Sequence, residues 1–329
     1  MRDLRFSLQG RYPSVVDLSE FRIRNTAVTM HGSALLAGAG ITEREFIGSE
    51  PDAISERLCS YLDHTGLHPG RNHLIILDME PNYPNPNPGP NDPRERISFP
   101  PAGLGRYEGD PTLQAALIQA YITRINVARE VLREKWPTIR LGLYGVVVPD
   151  GQGEADDVFQ QRMRGYCRGR DLGMFDAVDY LVPVLYNRFG PSDVVLPSGD
   201  IDLDRLHRWI GRATHQAMSN SQRLTRRNAR RIPLAPVLTF WVANRPSDHN
   251  DKVVAPETMS VQLEILQEYR SVKTIVFWSG PETSAEMQES GREPLDFNAF
   301  LAQVFGEEGI GEEREAEMTA IAHRSRVPR

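Results

Sequence analysis

The sequence predicts an α/β protein, a TIM-like (β/α) barrel of seven or eight parallel strands, and three observations support that expectation. Apolar runs beginning at Leu74, Leu141, Asp179, Leu234 and Lys273 lack polar alternation, which is how strands buried on both faces read. Segments of helical periodicity separate them, so each strand can run parallel to the next through a right-handed crossover. The chain has 329 residues and 40% hydrophobic content, enough for one large α/β domain with a sizeable core.

Taken in order, Leu4–Leu8 and Thr26–Met30 are the two strands needed before the acidic one, and Gly32–Gly40 is a small-residue loop. Ser49 or Asp52 caps a helix in which Ile54, Leu58, Tyr61 and Leu62 recur at helical spacing. The strand Leu74–Leu77 ends in Asp78 and Glu80, and the composition then changes to PNYPNPNPGPNDPRERISFPPAGLG. So many prolines break a helix and remove ladder donors, so residues 81–109 are expected to form a loop insertion, either walling or covering a groove or simply disordered. Asp110 and Pro111 open a long amphipathic helix to Lys135, with Leu117, Tyr121, Ala128 and Leu132 on one face. Further strands cover Leu141–Pro149, Asp179–Asn187, Leu234–Val242 and Lys273–Gly280; Pro183 and Pro236 predict irregular pairing in two of them. Helices are expected from Asp202 to His215, Pro256 to Tyr269 and Phe297 to Val304. Residues 1–305 thus read as a single domain, and 306–329 as a charged, disordered tail.

A net charge of −6 and a pI near 5.8 give no global attraction to nucleic acid or to an anionic membrane, so neither is an expected partner. No apolar run of about 18 residues is present, and MRDLRFSLQGRYP lacks the apolar core of a leader. The chain as given is expected to be cytoplasmic, and secreted only if an upstream segment is missing. Cys59 and Cys167 have no metal-ligand spacing; one disulfide is an alternative, and two free thiols are preferred. The eight histidines form no H-x-H or H-E-x-x-H pair, so no metal or other cofactor is expected. The basic run Arg223–Arg231 follows a helix and precedes a strand, which puts it at the opposite end of the sheet from an active rim. Oligomeric state is not legible from the sequence.

Asp78 and Glu80 are one residue apart on a strand end, so they project the same way, about 6.6 Å apart along the chain. Active sites of α/β folds lie at the C-terminal ends of their strands. That rim also receives Tyr144, Tyr186, Asn187, Arg188, Trp241, Arg245 and Trp278, with Tyr83 just beyond the acids. Carboxylates among aromatic side chains describe a sugar site: rings pack on the apolar faces of pyranoses while the acids move a proton at a glycosidic oxygen. A neighbouring carboxylate and partial burial both disfavour ionisation of Glu80, which suits a general acid. The partner expected from this chemistry is an oligo- or polysaccharide.

The ordered series LIILDMEP, RLGLYGVVVPD, DYLVPVLYN, PVLTFWVANRP and TIVFWSG resembles the hyaluronidase family of glycoside hydrolases, over about Asp52 to Ser279, and more distantly the chitinase-type barrels with D-x-E. The resemblance implies a seven-stranded barrel in which the acidic strand is the third. It also implies a glycosidase of the endo-N-acetylhexosaminidase type, retaining configuration because the substrate's own acetamido oxygen attacks the anomeric carbon. Glu80 is then the acid/base, Asp78 orients the acetamido group, Tyr186 donates a hydrogen bond near it, and Trp278 seats its methyl. Two motifs depart from the family: Pro81, Asn82 and Tyr83 follow the glutamate, and Gly151 and Gln152 follow Pro149 and Asp150. A muramidase-type lysozyme barrel, or a sugar-binding barrel without activity, are the alternative readings.

Overall fold

Among the described residues seven strands, all parallel, make one sheet: β1 (Arg5–Gln9), β2 (Ile23–His31), β3 (Leu74–Asp78), β4 (Arg140–Tyr144), β5 (Tyr180–Val182), β6 (Val237–Thr239) and β7 (Thr274–Trp278). The computed structural model describes residues 5–9, 21, 23–37, 41–64, 74–79, 109–146, 156–187, 194–200, 202–225, 231–242, 252–278 and 293–305. Expectations for Glu80, Tyr83, Arg188, Arg245, the loop 81–108 and the tail 306–329 therefore lie outside the described residues.

Between the strands stand α1 (Glu43–Gly48), α2 (Pro51–His64), α3 (Pro111–Lys135), α4 (Asp156–Asp171), α5 (Leu203–Thr225) and α6 (Pro256–Glu268), and α7 (Phe297–Phe305) follows β7. The starts follow local chemistry. The Asp110 carboxylate accepts from the Leu113 amide at 3.0 Å, with Pro111 at the first helical position, and Asp202 accepts from the Arg205 amide at 2.9 Å. Helix α1, not expected from the sequence, is set by a reciprocal capping box between Thr42 and Glu45. Helix α5 runs ten residues beyond the expected end at His215. Its small polar residues are accommodated by the helix itself: Ser221 donates to the Ala217 carbonyl at 2.7 Å and Thr225 to the Gln222 carbonyl at 2.8 Å.

The strand order is β5-β4-β3-β2-β1-β7-β6. The outermost two strands are themselves joined, by parallel bridges Leu181↔Leu234 and Val184↔Val237 and by amide bonds from Ala235 to the Leu181 carbonyl (2.9 Å) and from Leu185 to the Val237 carbonyl (2.9 Å). This arrangement of parallel strands and helices is consistent with the TIM-like class. Regular pairing in β5 and β6 is three residues long, next to Pro183 and Pro236, as a missing amide donor requires. The proline carbonyls still accept, from Val237 and Val276, each at 2.9 Å. Cys59 and Cys167 are half-buried free thiols. Among the described residues no helix is long and apolar enough to cross a membrane.

One ion pair ties three elements together at the N-terminal ends of the strands. Asp179, 7% exposed, takes a bidentate hydrogen bond from Arg129 of α3 and a further bond from the Leu141 amide of β4 at 2.9 Å. Burial pushes the Asp179 carboxyl up, but the Arg129 hydrogen bond, the Leu141 amide and the charges of Arg129 and Arg140 pull it further, to below the ordinary aspartate value. A lowered carboxyl contributes stability that is present above the unfolded value, near 3.9, and lost as pH falls through the folded one. Replacing Arg129 by Met, which strands the carboxylate, is expected to cost roughly 3 kcal/mol at neutral pH. Thermal melts of wild type and Asp179→Asn should differ at pH 7 and converge as pH drops below about 4; a constant gap would rule this linkage out.

Candidate functional site

Side chains alternate between the two faces of a strand, and the two faces of this sheet bury very different partners. Ile75, Leu77, Leu143 and Phe277 join helix residues such as Leu117, Tyr121 and Phe300 in one large core. The other face holds a small core, Ala27, Leu74, Ile76, Val182, Ala235, Val237 and Val276, against which Tyr144, Tyr180, Tyr186 and Trp278 pack. Among the described residues no helix residue belongs to it. It is the inner face of the sheet, turned away from the helices.

Followed towards the C-terminal ends by the two-residue period, the inner face continues to His31, Asp78, Tyr144, Thr239 and Trp278. The register levels them: His31 pairs with Asp78 and Thr239 with Trp278, while Tyr144 pairs with Val182. Asp78 is half-buried at 19% side-chain exposure, and the His31 Nδ1 stands 3.7 Å from its Oδ2. Tyr186 and Trp278 are stacked, with ring centroids 5.8 Å apart and planes 26° from parallel. The Tyr144 hydroxyl donates to that of Tyr186 at 3.1 Å. Chemically the edge offers a carboxylate, an imidazole, two linked phenols and an indole face. Among the described residues no group of His, Cys, Asp and Glu could hold a metal ion.

Of the residues singled out from sequence, Asp78, Tyr144, Tyr186 and Trp278 thus share one face and one end. Trp241 and Asn187 are not brought there. After Thr239 the chain leaves the parallel ladder and forms an antiparallel bridge, Trp241↔Val253, with the Val254 amide on the Phe240 carbonyl at 2.8 Å. That turn carries the Trp241 indole, 2% exposed, into the helix-side core: it lies edge-on to Phe297 and donates from Nε1 to the Glu293 carbonyl at 3.0 Å. Asn187, 3% exposed, falls on the opposite parity to Tyr186 and donates to Gln262 of α6 at 2.9 Å. Residues 226–230 of the basic run lie outside the described residues; at its ends, Arg223 is in the last turn of α5, and Arg231 is exposed three residues before Leu234, which bridges Val272 just ahead of β7.

Sequence reasoning missed His31. The one available signal was parity: extending the second strand by a single residue beyond Met30 puts His31 in phase with Ala27. It also missed Tyr166, a fully buried residue of α4 whose hydroxyl donates to the Gly145 carbonyl at 2.6 Å and so pins the left-handed turn (φ 73°) directly after Tyr144.

Compared with solved structures, the fold is similar to that of bee venom hyaluronidase, with a TM-score of 0.55 and 12% sequence identity over 87% of this chain and 96% of that one. A bacterial fucosidase is matched with a TM-score of 0.28 at 10% identity, covering 87% of this chain and 55% of that one, too low a score to bear on the architecture. No protein-family model matches the chain, and no curated protein matches it in sequence. At 12% identity the hyaluronidase likeness shows the fold alone.

At Gly142 the inner face has no spare room. A Cβ on Gly142 would stand 2.8 Å from Val182 Cγ2 and 3.3 Å from Leu74 Cδ1, and a β-branched valine has little rotamer freedom with which to yield. Gly142→Ala is therefore expected to destabilise the fold by about 1–3 kcal/mol, measured as a lowered midpoint in thermal or urea unfolding; an unchanged midpoint would show that the inner face can expand.

Proposed function

We propose that the protein is a glycoside hydrolase acting on N-acetylhexosamine-containing glycans, with retention of configuration and Glu80 as acid/base. The observation that carries this reading is the coincidence of Asp78 with the stacked Tyr186–Trp278 pair at one end of one face of the sheet. The fold likeness to a hyaluronidase supports it independently, and so does the D-x-E spacing that puts Glu80 in phase with Asp78. We read the joined outer strands as closing a seven-stranded (β/α) barrel with this edge as its mouth.

The chemistry follows from the groups. Glu80 donates its proton to the glycosidic oxygen as the bond to the anomeric carbon breaks. The acetamido oxygen of the same sugar attacks that carbon and forms a cyclic oxazolinium. Asp78 accepts from the acetamido N–H and carries the negative charge opposite the developing positive one. Tyr186, held by Tyr144, donates towards the acetamido oxygen's side of the ring, while Trp278 covers the methyl. Glu80, now a carboxylate, takes a proton from water as the water opens the ring on the original face, which restores the acid and retains configuration.

Glu80→Gln is expected to lower kcat by roughly 10²-fold or more with binding spared, because the amide keeps the shape and cannot protonate the leaving oxygen. Asp78→Asn should also be severe, and Tyr186→Phe should cost on the order of tenfold. The deciding measurement is hydrolysis of matched substrates with and without the N-acetyl group, together with trapping by a fluorinated sugar. Equal rates on the pair, or a covalent adduct on Asp78, would overturn the substrate-assisted step; no turnover of hyaluronan, chondroitin, chitin oligomers or peptidoglycan would overturn the enzyme.

A further inference from the structure

Among the described residues Arg124 is the largest fully buried side chain, at 0% exposure in the middle of α3, and no carboxylate among them pairs with it. Three carbonyls satisfy it instead: Leu35 from Nε at 2.9 Å, Leu36 from one terminal nitrogen at 3.0 Å, and Ala120 from the other at 3.1 Å. The Phe46 ring lies against the guanidinium, 3.7 Å from its central carbon. Burial pushes its pKa down to about 10, so the group is still charged at neutral pH. A buried charge is costly, and an apolar side chain of similar volume would fill the same space without that cost.

What the charge holds is the turn at the end of β2. The 3₁₀ turn Gly32–Leu35 ends on Leu36, whose φ of 49° makes it the only non-glycine residue in the left-handed region among those described. Carbonyls at such an end have no donor within the turn and carry partial negative charge, so a cation with two aligned N–H groups suits them. The turn is tight against its neighbours. The Ala37 amide closes it onto the Gly32 carbonyl at 2.8 Å, and a Cβ on Gly32 would fall 1.9 Å from the Ala37 oxygen and 3.5 Å from the Met79 Cα. Met79 is the residue between Asp78 and Glu80. The turn also begins immediately after His31, whose ring stands beside Asp78.

We infer that Arg124 is a positioning residue for the acidic strand end: its clamp on the Leu35 and Leu36 carbonyls fixes the β2 exit turn, and the turn, seated on Met79 and continuous with His31, fixes where Asp78 projects and how the chain leaves Met79. The inference rests on the glycosidase reading for its catalytic consequence, and on the contacts alone for its structural one. Arg124 touches neither substrate nor the reacting atoms. Displacing the acids by about 1 Å would still be felt strongly, since misplacement on that scale can cost on the order of 10² in rate.

The test uses Arg124→Lys and Arg124→Met in the full chain, with Leu266→Ala in α6 as a variant destabilised far from the turn. Three readouts are taken: kcat and KM on an N-acetylhexosaminide polymer, the thermal midpoint, and peptide-level hydrogen exchange. Both Arg124 variants should lose roughly 10- to 100-fold in kcat with KM within about threefold. Exchange should quicken in peptides covering 32–37 and 74–79 and stay as in wild type over 237–239 and 274–278. Millimolar methylguanidinium should restore part of the lost kcat to Arg124→Ala. An Arg124 variant that keeps wild-type kcat, or that loses no more than Leu266→Ala at an equal drop in midpoint, would overturn the positioning role. Should Arg124→Met fail to fold, Arg124→Lys, which keeps a charge and a donor group, decides on the same readouts. If wild type hydrolyses no aminosugar polymer, the glycosidase reading fails, and the exchange pattern alone still decides whether Arg124 governs the segment at Asp78.

Discussion

Everything in the candidate site depends on the alternation of side chains along parallel strands over a closely packed inner face. Among the described residues seven apolar side chains form the core of that face, and none is larger than leucine or isoleucine. Gly142 is glycine because Val182 and Leu74 already occupy the place its Cβ would take. Aromatic and charged side chains are therefore pushed to the ends of the strands. At the C-terminal ends the pleat presents Asp78, Tyr144 and Trp278 in phase with the inner core, together with Tyr186 beyond the bridge at Val184. A carboxylate there is half-buried, close enough to low dielectric for its contacts to matter and wet enough to remain accessible.

Hydrophobic burial is not directional, so it does not by itself fix how strands and their exit turns are set. Directional contacts from the helix layer do that at both ends of the sheet. At the N-terminal end, Asp179 receives Arg129 of α3 and the Leu141 amide, which locks the start of β4 against the start of β5. At the other end, Arg124 reaches the turn after β2 and Tyr166 the turn after β4, the two strands flanking the one that carries Asp78. Each of these groups is hydrogen-bonded, and all but the half-buried Arg129 are buried. An unsatisfied partner left behind by substitution would cost more than the bond itself contributes.

The strand beginning at Leu74 was legible because an unbroken apolar run ending in D-x-E has few structural interpretations, and the parity of Asp78 follows from it. The long helix Pro111–Lys135 was equally plain, through Asp110, Pro111 and its apolar stripe. Pro183 and Pro236 correctly announced short regular pairing. By contrast, α1 was invisible: six residues carry too little periodicity, and its capping box gains meaning only once a turn delivers Thr42 to the right place. Helix α5 runs past the expected end at His215, because inside a packed helix serine and threonine hydroxyls bond to their own preceding carbonyls.

The sequence by itself determined the α/β class, the succession of strands and helices, and the acid at the end of the third strand, because composition, period and punctuation are local properties of the chain. Only the tertiary structure decided which side chains at the strand ends meet. Trp241 had the right residue type and position, yet a bend after Thr239 turned it into the helix-side core, while His31, unremarkable in the sequence, came to stand beside Asp78. Pairing register, bridge geometry and the reach of Arg124 across 89 residues to Leu35 are long-range relations. They follow from how the faces close on one another, which no window of sequence contains.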